Sequence, residues 1–158
     1  MRTERKRVFE TNSSSTHALV FCKNNEDYVD LSNKIIIDFV DTDFDGNIYG
    51  TLKEKVSYLV GFIIHKYKYN CYDYADLIEQ VKMNYDYKKI EDYVMERYGK
   101  EIVFPKEYKG ELEDIVNINH QLLWHDNDLD SLIMDMLDEQ SYLDIYFDEK
   151  KVIEIGRD

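Results

Sequence analysis

Between residues 52 and 98, apolar side chains recur at three- and four-residue spacing in three successive stretches, and that rhythm commits the middle of the chain to helices. Leu52, Val56, Leu59, Val60, Ile63 and Tyr67 form the first stripe, with Thr51 placed to cap it. Tyr74, Leu77, Ile78, Val81 and Tyr85 form the second. Tyr87, Ile90, Val94 and Tyr98 form the third, ahead of Gly99, a natural stop. Residues 112–124 favour a helix, and Leu129, Leu132, Ile133, Met136 and Leu137 repeat the pattern most cleanly. The flanks read differently. Residues 7–11, 17–23, 34–40 (KIIIDFV) and 101–104 are strand-like, and 142–147 with 151–155 read as a hairpin turned at 148–150. The expected class is α+β: an antiparallel sheet from N- and C-terminal strands with three to five central helices. No repeat and no Pro/Gly/Ser linker interrupts the 158 residues, so a single domain over 1–158 is expected, with the basic residues 1–7 frayed.

Charge narrows the functional classes. With 20 basic and 33 acidic residues the net charge is −13, and such a surface repels phosphate backbones, so no direct nucleic-acid binding is expected. Arg2, Arg5, Lys6 and Arg7 against Glu4 are too few to make a nucleic-acid arm. No signal-peptide or membrane-spanning apolar run is present, and Cys22 and Cys71 lie far apart, so a cytoplasmic protein with two reduced thiols and no membrane partner is expected. The richness in Lys, Ile, Tyr and Asn points to an AT-rich genome, such as that of many phages and mobile elements.

Three local patterns are candidates for chemistry. Asp41, Asp43 and Asp45, followed by Gly46 and Ile48, resemble the opening of an EF-hand calcium loop, since alternating carboxylates on a tight turn supply hard oxygen ligands. Two features depart from that pattern: position twelve is Leu52 rather than Glu, with Glu54 two residues late, and the preceding run is strand-like. The same residues read equally as a solvated acidic turn. The segment from Glu10 to His17 (ETNSSSTH) offers hydroxyls beside an imidazole, so a small enzyme centred on Thr16 and His17 is a second alternative. On a strand, however, those two side chains would face opposite ways. This segment resembles the opening of certain phage and mobile-element proteins, a match of about ten residues that implies origin and no activity. His120 and His125 stand five apart, and no metal site or cofactor is expected from them or from His65.

The largest anomaly is acidic. From residue 126 to 149 there are nine acids and no base, and Asp126, Asp128, Asp130, Asp135 and Asp138 are the expected partner-binding patch. Capping of the next helix and a plain solvated face are the competing readings. Fourteen tyrosines accompany this charge, crowded in the middle of the chain, with Tyr74, Tyr85, Tyr87 and Tyr98 expected on inner faces and several others exposed as contact residues. In size, acidity and lack of catalytic motifs the chain resembles type II-A anti-CRISPR proteins, a likeness of character with no shared motif. The resemblance implies a nuclease inhibitor and no enzyme. It would bind an RNA-guided DNA nuclease in the bacterial host cytoplasm, filling its basic channel or immobilising a nuclease domain.

Overall fold

The computed structural model describes residues 8–10, 17–23, 32–39, 47–116 and 138–157, with side chains described for 32–39, 50–116 and 138–151. These residues fall into two compact units. One comprises Met1–Tyr28, Thr42–Lys55 and Asn119–Asp158; the other comprises Val29–Asp41 and Val56–Ile118. Residues 1–7 lie outside the described residues.

The second unit is helical. Its main elements are most of α1 (Leu52–Tyr67), α2 (Tyr74–Met83) and α3 (Tyr85–Tyr98). Thr51 caps α1 as expected: its Oγ1 accepts from Glu54 N at 3.1 Å, while the Glu54 carboxylate reaches back to Gly50 N at 2.9 Å. Asp73 and Asp76 make the same reciprocal pair at the start of α2, with Asp73 accepting from Asp76 N and Asp76 from Tyr72 N. Asn84 closes α2 and caps α3 through Tyr87 N, and its amide donates to the Tyr67 hydroxyl. From Lys55 to Ile64 every residue of α1 is buried, so the helix is enclosed on all sides, which only a core helix can tolerate.

Gly99 ends α3 at φ +63°, the left-handed cap that glycine adopts without strain. Gly99→Ala should therefore destabilise the chain by about 1 kcal/mol through backbone strain alone, since a Cβ there meets no atom within 4 Å. Urea denaturation midpoints would check this.

Beyond α3 the chain returns as β5 (Glu101–Val103), which pairs in parallel with β3 (Lys34–Ile36). Parallel pairing follows from the connection: three helices separate the strands, and a crossover of that kind brings the second strand back in the same direction. Ile35 and Ile37 turn inward at 1% exposure, while Ile36 turns outward.

The first unit holds an antiparallel sheet in the order β1-β2-β6-β4, formed by Val8–Glu10, His17–Lys23, Lys151–Arg157 and Asn47–Tyr49. It also holds α4 (Gln140–Tyr146), with Leu143, Tyr146 and Phe147 buried.

These findings correct the expected fold class. The described chain is mostly helical, with helices of 16, 10, 14 and 7 residues, and the unit carrying the central helices has only a two-stranded parallel sheet. It is not an antiparallel sheet with helices set between its strands. The expected hairpin of residues 142–147 with 151–155 is also corrected. Its first arm is helix, because Leu143, Tyr146 and Phe147 bury one face at a spacing of three and four that a strand cannot match. Ile48, at the end of the segment read as an acidic turn, lies in strand β4, paired to β6 at Ile48↔Glu154. Within 112–124, the described start is a single 3-10 turn at Leu112–Asp114, and the stripe of 129–137 lies outside the described residues.

Candidate functional site

Of the acidic patch, Asp126, Asp128, Asp130 and Asp135 lie outside the described residues, and Asp138 is exposed, as is Glu139 beside it. Towards the end of the run, one carboxylate has a structural use. Asp148 accepts from Lys150 N at 3.0 Å and lies 3.4 Å from the Lys151 ammonium. Burial works to raise its pKa, but that N–H and the charges of Lys151 and Lys55 hold it below the ordinary value.

Lys55 explains why the chain closes there. It sits on the apolar stripe of α1, is 1% exposed, and donates to the carbonyls of Asp148 (2.9 Å) and Lys151 (2.8 Å). Its own carbonyl accepts from the Tyr146 hydroxyl at 2.7 Å. Burial pulls the ammonium down to about 8, against the pull of Asp148 and Glu149.

In the other unit Lys68 repeats the device, donating to Glu113 O (2.6 Å) and Val116 O (2.7 Å), and desolvation lowers its pKa as well. Lys55 lies within α1 and Lys68 just past its end, and both are buried and satisfy main-chain carbonyls of a distant segment, so neither is a solvated charge.

Asp41, Asp43, Asp45, Thr16, His120 and His125 lie outside the described residues. Glu54, the late-placed acid of the calcium-loop pattern, is engaged in capping α1. His17 opens β2 opposite Arg157. The Cys71 thiol is free and donates to Tyr67 O, and burial together with Asp76 pushes its pKa up, which makes it a poor nucleophile. Among the described residues, no group of three or more His, Cys, Asp or Glu is placed to hold a metal ion. No helix among them is long and apolar enough to cross a membrane.

Tyrosine placement departs from the expectation at one inner-face position. Tyr87 is buried, and Tyr74 and Tyr98 are half-buried, but Tyr85 is 72% exposed with the Lys89 ammonium 4.4 Å from its ring centre. The α2 stripe ends two residues earlier than the pattern implied, because Asn84 breaks the helix before Tyr85 can join it. Tyr72 is 98% exposed and Tyr69 is exposed too, while Tyr58 and Tyr93 are buried.

A groove of about 610 Å³ lies between α2 and the strand segment 101–106, and no sequence motif announced it. Tyr74, Ala75, Ile78, Glu79, Lys82 and Met83 form its helical wall. They repeat with period four along α2, on a side that adjoins the buried Leu77 and Val81 at Tyr74 and Ile78. The Tyr74 hydroxyl donates to Pro105 O at 2.5 Å and closes one end, and Lys82 stands 5.8 Å from the centre of the Phe104 ring. Met83, apolar and off the stripe of α2, was the available signal; the strand wall depends on pairing with β3 and had none.

The chain matches no known protein family, no curated protein and no solved structure.

Proposed function

We propose that the protein works by docking on a cationic macromolecular surface and not by catalysis, as a stoichiometric inhibitor of a bacterial defence nuclease. The RNA-guided DNA nuclease of type II CRISPR systems, in the host cytoplasm, is the partner we favour. The observation that carries this reading is the charge: −13 overall, with nine acids and no base between residues 126 and 149. Carboxylates at that density imitate a phosphate backbone and steer a basic groove towards the chain. Exposed Asp138 and Glu139 support this reading, as do Tyr69, Tyr72 and Tyr85, whose rings offer large contact area at small entropic loss.

The test is a DNA-cleavage assay with the purified nuclease and the full chain. Wild type should inhibit near one-to-one. Converting Asp126, Asp128, Asp130, Asp135 and Asp138 to Asn should weaken inhibition at least about tenfold, chiefly by slowing association, and raising salt should do the same to wild type. Full inhibition by the neutralised variant, or none by wild type, would overturn the proposal.

A further inference from the structure

The turn between α2 and α3 carries charge of the opposite sign to the chain as a whole. Residues 82–89 hold three lysines, Lys82, Lys88 and Lys89, and one acid, Asp86, in a chain of net charge −13. Asp86 is buried at 8% exposure, whereas Lys82 and Lys88 are exposed, so the surface of this turn is basic. Lys88 and Lys89 stand within the first five residues of α3, at the positive end of the helix dipole, where a base lowers helix stability. Lys89 lies 4.4 Å from the centre of the Tyr85 ring, which keeps its charge on the face that Lys88 shares. Met83, the last residue of α2, is 68% exposed in the same turn. Departures of this kind from local helix rules gather at functional surfaces.

We propose that this turn binds a short acidic segment of another protein, whose carboxylates meet Lys82 and Lys88 while one apolar side chain rests on Met83. Charge selects an anion, because bases at the positive end of a helix add to its dipole and raise the local potential. The neighbouring acids select a short one. Glu79 on α2, Asp92 on α3 and Glu101 across the groove are all exposed and bound the basic surface, so a long polyanion such as a nucleic-acid strand would run onto charges of its own sign. At physiological salt, exposed charges act over about 8 Å, so for a short segment the local bases outweigh the net charge. Methionine suits the apolar contact, since its flexible thioether adapts to differing side chains. This surface belongs to the helical unit, and the inference stands apart from the acidic patch and its cationic partner.

The probe is a library of linear ten-residue peptides displayed on phage and selected on the full chain. Enrichment of peptides with at least three acids and an apolar residue is expected. In fluorescence anisotropy with the synthetic peptide, Lys82→Glu combined with Lys88→Glu should weaken binding at least about tenfold, and Met83→Ser at least about threefold. The milder pair Lys82→Gln and Lys88→Gln serves as a second variant should the first disturb the helices. Lys150→Glu, at an exposed lysine of the other unit, should leave binding within about twofold. Failure to enrich acidic peptides, an equal loss in Lys150→Glu, or tighter binding of a single-stranded oligonucleotide than of the peptide overturns the proposal.

Discussion

Lys55→Ala is expected to lower stability by about 3 kcal/mol, because it strips the donor from two main-chain carbonyls and leaves a void where the aliphatic stem lay. Lys55→Met should lose far less at neutral pH, since an apolar side chain of similar volume also removes a buried charge. The pH dependence is the sharper test. Above about pH 8 the folded chain has released the Lys55 proton, whereas the unfolded chain keeps it until about 10.5. Within that window the unfolded state binds more protons, so stability rises with pH, by at most about 1.4 kcal/mol per unit. A neutral amine still carries two hydrogens, enough for both carbonyls. The difference in unfolding free energy between wild type and Lys55→Met should thus widen by about 2 kcal/mol from pH 8 to pH 10, measured by urea titration. A constant difference would mean that the ammonium titrates alike in both states.

Tyr87→Ala should be more damaging still, at about 4 kcal/mol. The ring is 1% exposed and sits 5.7 Å from the Phe104 ring, so truncation opens a cavity in the helical unit. Tyr87→Phe should stay within about 1 kcal/mol at pH 7, because the hydroxyl's partner, Glu91, is exposed and can turn to water. Burial and Glu91 push the Tyr87 hydroxyl well above its ordinary value. Above about pH 10 the folded state then holds the proton more tightly, and wild type should lose stability with rising pH in a way the Phe variant does not. Tyr85→Ala is the control: two residues away and exposed, it should change stability by no more than about 0.5 kcal/mol. A loss of several kcal/mol at Tyr85 would contradict the burial described for α3.

The helices of the middle were legible because their signals are local. Thr51 and Gly99 act on N–H and C=O groups within one turn, and the stripes at Val56, Leu59, Leu77, Val81, Ile90 and Val94 report burial directly, whereas the caps Asp73 and Asn84 were not read from the sequence. Residues 142–147 misled because Tyr, Ile and Phe favour strands in isolation. Their helical state follows from the tertiary burial of Leu143, Tyr146 and Phe147. The fold class misled for a related reason: β-branched runs announce strands without naming partners, and β3 found its partner across three helices.

Taken alone, the order of residues determined that the middle of the chain is helical, that its first helix starts after Thr51 and its third stops at Gly99, and how negative the molecule is, since these depend on neighbours in the chain or on simple counting. Only the folded arrangement decided that Lys55 and Lys68 are buried carbonyl donors, that β3 and β5 run in the same direction, and that a groove lies between α2 and residues 101–106. Each of those joins residues about 30 to 100 positions apart, and contacts at such separation are set by which surfaces bury best together, a choice that no local pattern encodes.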